Sequence, residues 1–255
     1  MALFLVLVTF IFIAAALVWY LLRGDHGEKE PISALWVAFG LGIVGAVIAG
    51  IAESYLAASR GLSATAPAHL ILSSAITIGI IEEACKFIPL AVFIYPKRYF
   101  NEHTDGVIYF AIAGLGFGLP ENILYTVQFG AKTGFGRLLL TPLFHATTTA
   151  LVGYVLIRVK LDKKPKWHVA VALLLVMAIH AMYDFGLTFG SVYYEGLSIC
   201  ITLGMVALLF ILFWKAQNLD EQAGLSSVGH NSYCRSCGHA NPNHYLYCVA
   251  CGQRA

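Results

Sequence analysis

Apolar positions fall in seven long runs, at about 1–22, 32–58, 68–95, 105–129, 138–158, 167–190 and 193–214, separated by short polar stretches. Each run reaches or exceeds the roughly 20 residues that a helix rising about 1.5 Å per residue needs to cross a hydrocarbon core. The pattern predicts an all-α polytopic membrane protein with about seven transmembrane helices. No basic residue precedes the first run, so it reads as a retained helix and not as a cleaved secretory signal. Composition supports the same solvent. Hydrophobic residues make up 59% of the 255 and charged residues 12%, about half the charged share of soluble chains. A soluble enzyme, a disordered chain and a nucleic-acid binder working by bulk charge are thereby excluded. The lipid bilayer is the partner that composition implies, and a net charge of +2 names no other.

The loops predict an orientation. Those at 23–31, 96–104 and 158–166 carry two, two and five Lys or Arg, whereas 59–67, 130–137 and 191–194 carry one, two and none. Nine against three sets the first group in the cytoplasm, with the N-terminus outside. Trp19, Trp36, Tyr95, Trp167 and Trp214 fall at the inner ends of the runs, where amphipathic rings suit the headgroup layer.

Past residue 214 the character changes. Residues 1–214 form the membrane domain, 215–229 read as a polar linker, and 230–255 as a separate module. That module carries Cys234-x-x-Cys237-Gly and Cys248-x-x-Cys251-Gly. Two such turns can aim four thiolates at one point, the arrangement of a structural zinc ribbon. A pair of disulfides is the alternative, disfavoured by a reducing cytosol. Such a ribbon offers a docking surface for a cytosolic partner. Cys85 and Cys200 stand alone in apolar runs and read as buried small hydrophobes.

Ionisable groups inside a bilayer are costly and mark candidate sites. The third run carries Glu82, Glu83 and Lys86; the fourth carries Phe117, Glu121 and Asn122; the fifth His145; the sixth His180 and Asp184. Glu82 and Lys86 are four apart, as are His180 and Asp184, so each pair shares a helix face. Adjacent Glu82 and Glu83 diverge by about 100°, so one faces a common centre while the other turns toward a neighbouring helix. A withdrawn carboxylate can serve as the base that activates water, and an Asp beside His can orient the imidazole. Any one of these motifs alone reads as an interhelical tie; four on consecutive helices read as a reactive or transporting site. Glu53 and Asp105, near span ends, read as snorkelling or capping residues.

The ordered set EExxK at Glu82–Lys86, FxxxE at Phe117–Glu121, His145 and HxxxD at His180–Asp184 resembles the PrsW intramembrane proteases, which are similar to the type II CAAX prenyl endopeptidases. The likeness covers about residues 68–190 and leaves out the first two runs and the tail. It implies a glutamate-dependent peptidase acting on a protein of a bacterial cell membrane, with a membrane anti-sigma factor as one substrate class. Counted from the outer ends of their runs, Asp184, His145, Glu121 and His180 lie roughly 9–15 Å deep at about 1.5 Å per residue, which places the site in the outer half of the bilayer and cleavage near the outer face. Glu82, helped by Glu121, would activate water. His180 and Asp184 would stabilise the oxyanion or orient the peptide, His145 would complete the site, and Glu83 and Lys86 would support it, as would Phe117 and Asn122. A catalytic metal held by His145, His180, Asp184 and a Glu is the alternative. A proton-coupled transporter would use similar residues, but the sequence shows no internal repeat of the kind many such folds carry.

Overall fold

The computed structural model describes residues 2–60, 67–130, 134, 137–138, 140–189 and 191–225, and in the tail 231–233, 240–242 and 251. Seven long helices follow the seven apolar runs: α1 (Ala2–Gly24), α2 (Ile32–Arg60), α3 (Ala68–Phe93), α4 (His103–Phe129), α5 (Thr141–Leu161), α6 (Trp167–Phe189) and α7 (Val192–Gln222). Six are long and apolar enough to cross a membrane. The seventh, α3, is 26 residues long and carries Glu82, Glu83 and Lys86. This is an integral membrane protein. Its outer faces present Phe4, Phe12, Trp36, Leu174 and Trp214, side chains that suit lipid as solvent.

α4 is the axis of the bundle. Every residue from His103 to Gly118 is buried, and α4 is packed by α1, α2, α5 and α7. The main core gathers Val107, Ile108, Phe110 and Leu115 of α4 with Ile157 of α5, Leu90 of α3 and Phe213 of α7. Close helix approach depends on small residues. A Cβ on Gly114 would lie 2.6 Å from the Ala146 Cα, and one on Gly79 would lie 2.8 Å from the Met177 carbonyl. The first contact brings α5, with His145, against α4. The second brings α3 against α6, with Glu83 opposite His180.

α7 runs to Gln222, so residues 215–222 are helix where polar composition predicted linker. Tertiary hydrogen bonds account for the extension: Gln217 Nε2 donates to the Gly24 carbonyl at 2.5 Å, and Asp220 accepts the backbone N–H groups of His103 and Thr104. In the tail, β1 (Asn231–Tyr233) pairs antiparallel with β2 (Ala240–Pro242), Tyr233 facing Ala240. Cys234, Cys237 and Cys248 lie outside the described residues.

Candidate active site

Four helices bring the polar residues of the apolar runs to one place. Glu83 is the hub. Its Oε1 accepts hydrogen bonds from Lys86 Nζ at 2.8 Å, His180 Nδ1 at 2.7 Å and Thr148 Oγ1 at 3.2 Å, tying α3 to α5 and α6. Lys86 is 2% exposed and also donates to His145 Nδ1 at 2.8 Å. Because that ammonium is only a donor, Nδ1 must be an acceptor, which leaves the His145 proton on Nε2. His145 Nε2–H then donates to Glu121 Oε2 at 2.5 Å. The Lys86 ammonium also lies 4.3 Å from the Phe117 ring centroid, and the same ring is 5.2 Å from His145.

Glu82 stands apart from this network. It is buried, yet its Oε2 makes no hydrogen bond among the described residues. Lys86 Nζ at 3.5 Å and His180 Nε2 at 3.4 Å are its nearest polar neighbours, and His180 Nε2 is 3.5 Å from Asp184 Oδ2. The divergence of adjacent glutamates is visible here: Glu83 is bonded on several sides, whereas Glu82 keeps a free oxygen. Asn122 is also buried. Its Nδ2 donates to the Gly118 carbonyl at 2.7 Å, and its Oδ1 has no partner among the described residues.

Glu82 lines a cavity of about 900 Å³ with Glu53, Glu121, Arg137, Asp184 and Glu195, large enough for a substrate segment. The cavity lies toward the end of the bundle where α2 finishes and α7 begins. Of the nine residues singled out in the apolar runs, Phe117, Glu82, Glu121 and Asp184 line it. His145 and His180 are buried and hold the lining carboxylates from behind.

Three contributors escaped the sequence reading. Arg137, from the α4–α5 connection, ion-pairs with Glu121 and lies 3.7 Å from the Tyr125 ring centroid. In the sequence it counts only as a basic loop residue; a lone Arg just ahead of the fifth apolar run is the available signal. Thr148 has no sequence signal beyond its polarity. By sequence Glu53 sits near a span end, but α2 turns it into the cavity. Asp105, read the same way, is a cap: its Oδ2 accepts the Asn101 and Glu102 N–H groups at 2.6 and 2.7 Å.

The donor chemistry accommodates a metal ion. Ligand atoms of Glu82, His145 and His180 all lie within 4.8 Å of one another, and two His with one Glu is a set that catalytic zinc uses. His180 gives Nδ1–H to Glu83, the outer-sphere arrangement that frees Nε2 as a ligand, and Glu82 Oε2 is unpartnered. At His145, a metal on Nε2 requires the proton there to leave, with Glu121 as its neighbouring acceptor. Asp184, expected among the ligands in the metal alternative, lies outside this cluster.

Comparison with known proteins follows the same lines. Residues 30–214 match the family model described as PrsW family intramembrane metalloprotease. The chain is 33% identical over 176 residues to Protease PrsW of Bacillus subtilis, covering 68% of this chain and 78% of the relative. It is 30% identical over 211 residues to Protease PrsW of Geobacillus kaustophilus, covering 82% and 87%. No solved structure matches it.

Proposed function

From the premise that this chain belongs to the PrsW family of intramembrane proteases, we propose that it hydrolyses a peptide bond of a membrane-anchored protein near the outer face of the bilayer, using water activated at Glu82. The observation that carries this reading is the buried, unpartnered Glu82 Oε2 beside a cavity of about 900 Å³. A carboxylate that lines a substrate-sized space and holds an oxygen without a hydrogen bond is poised to take a proton. Glu82 accepts a proton from water as its oxygen attacks the scissile carbonyl carbon. The proton passes to the departing amine as the C–N bond breaks. His180 as the imidazolium, with Nδ1–H on Glu83 and a second proton on Nε2, donates to the oxyanion from Nε2, and Asp184 beside it orients the ring or the peptide. Arg137 and His145 together hold Glu121 as a second acceptor on the cavity wall. Glu83, Lys86, Phe117 and Asn122 position these groups.

A second reading is favoured by the clustering of Glu82, His145 and His180. These three residues would hold a metal ion, which when bound polarises the carbonyl and supplies a water nucleophile. In that case Glu82 acts as a ligand, and Glu121 is the carboxylate left to accept the proton.

The remaining parts follow from the loop charges and the tail. The N-terminus lies outside, residues 1–214 form the membrane domain around a core at 68–190, and 230–255 form a cytoplasmic zinc ribbon on Cys234, Cys237, Cys248 and Cys251 that docks a partner. A membrane anti-sigma factor is the substrate class that the family resemblance implies.

Cleavage of a co-expressed membrane-anchored reporter tests the reading. Glu82→Gln, which cannot accept a proton, should lower cleavage at least about a hundredfold at unchanged protein level. Activity that survives thorough chelation supports the glutamate mechanism; loss that zinc restores supports the metal one. Full activity of Glu82→Gln would overturn both.

A further inference from the structure

The charge around the cavity is lopsided. Its lining carries five carboxylates, Glu53, Glu82, Glu121, Asp184 and Glu195, and one guanidinium, Arg137. Arg137 is already paired with Glu121. Lys86 lies behind the wall on Glu83, and His180 stands between Glu82, Glu83 and Asp184. That leaves Glu53 and Glu195 without an ion pair among the described residues. Glu53 is the more telling of the two. Its Oε1 is buried and makes no hydrogen bond among the described residues, although the side chain is not at a helix terminus where it could cap. Glu82 lines the same space, and its buried Oε2 makes no hydrogen bond among the described residues, with Lys86 Nζ at 3.5 Å and His180 Nε2 at 3.4 Å as its nearest polar groups. Unsatisfied acceptors withdrawn from water call for a donor, and a charged one makes the shortest and strongest bonds to carboxylate.

We infer that the cavity selects substrates carrying a Lys or Arg side chain close to the scissile bond, and that Glu53 on α2 is the acceptor that recognises it. This rests on the protease reading and names its substrate class. Glu53 belongs to α2, whereas the water-activating and oxyanion groups belong to α3 and α6. The basic side chain therefore reaches the α2 wall while the peptide bond lies toward α3 and α6. Glu195, at the start of α7, adds negative potential at the same cavity. Like-charge repulsion disfavours Asp or Glu at that substrate position.

The test is a panel of reporters with a single transmembrane segment, whose flank on the cavity side carries Lys, Gln or Glu at successive positions. Each is co-expressed with the full chain, and the readout is the ratio of cleavage between reporters. With the native chain, Lys at one or two positions should be cleaved at least about tenfold faster than Gln, and Glu slower still. Glu53→Gln should remove most of the Lys-over-Gln ratio, Glu53→Asp should keep its direction at reduced size, and Glu53→Lys should turn it toward Glu. Equal cleavage of the Lys and Gln reporters at every position overturns the inference, as does a ratio left intact by Glu53→Gln. Complete loss of cleavage in Glu53→Gln and Glu53→Asp alike, at normal protein level, assigns Glu53 to the chemistry and also overturns it. No cleavage of any reporter by the native chain refutes the protease reading itself.

Discussion

Two clusters of carboxylates are withdrawn from water in this bundle, one at each end of α4. At the N-terminal end, Asp105 accepts the N–H groups of Asn101 and Glu102, and Asp220 accepts those of His103 and Thr104 at 2.7 and 2.9 Å. Glu102 Oε1 accepts the Glu28 N–H at 2.9 Å, and Asp25 Oδ1 the Gly27 N–H at 3.1 Å. These side chains satisfy backbone donors that a helix start and a tight connection leave open. At the cavity end, Glu82, Glu83, Glu121 and Asp184 meet only Lys, His, Arg and Thr side chains among the described residues. Both ends contain a buried oxygen without a partner, on Asp25 and Glu102 as on Glu82. An idle oxygen therefore does not mark a site by itself. What separates the two clusters is that one satisfies backbone N–H groups, with the His103 ring added at Asp220, whereas the other meets side chains alone and faces a large cavity.

The strongest way to break this contrast is to remove side chains at the cavity end. Glu121→Ala, His145→Ala and His180→Ala should each lower reporter cleavage at least about tenfold, or about 1.4 kcal/mol of barrier. His180→Ala should cost most, since it also strips Glu83 of one of its donors. Any of the three that cleaves at the native rate would remove that residue from the chemistry.

Much of this was legible beforehand, for physical reasons. Lipid demands long apolar runs, so all seven helices could be read from hydropathy. Spacing of four put Glu82 with Lys86 and His180 with Asp184 on common faces, and both pairs are in reach of each other. What stayed hidden depends on helix packing. Glu53 and Asp105 look alike as acids near span ends, yet one lines the cavity and the other caps α4. The α4–α5 connection returns Arg137 to Glu121, sixteen residues away, which no local pattern encodes. The polar residues after Trp214 stay helical because Gln217 and Asp220 bond to distant backbone.

A smaller effect is expected at the other end of α4, and on a different quantity. Asp220→Ala would leave the His103 and Thr104 N–H groups and the His103 Nδ1 without their acceptor, while His103 Nε2 keeps Asp162. Orphaned buried donors cost about 1–3 kcal/mol, so the thermal midpoint in detergent should fall by several degrees. Cleavage by the protein that remains folded should stay within about twofold of native. A loss of cleavage without loss of stability would show that the two ends are coupled and that the contrast is drawn too sharply.

The smallest effect separates the two clusters by pH. Burial pushes the Glu102 carboxyl up to about 8; the Glu28 N–H opposes this, and the nearby carboxylates of Asp105, Asp25 and Asp220 add to it. Burial raises Asp25 as well. An acid raised on folding holds its proton in the folded chain after the unfolded chain has lost it. Its contribution is therefore fully present below the unfolded value of about 4.3 and is lost as pH climbs through about 8. Thermal midpoints should thus decline between about pH 5 and pH 8, and Glu102→Gln, which carries no proton to lose, should flatten the decline. The pH profile of cleavage should be unmoved by the same variant, because Glu102 lies at the opposite end of α4 from the cavity. An unchanged stability slope in Glu102→Gln would mean that its carboxyl is already ionised in the folded chain. The N-terminal cluster would then hold a like-charge group where a protonated acid is expected.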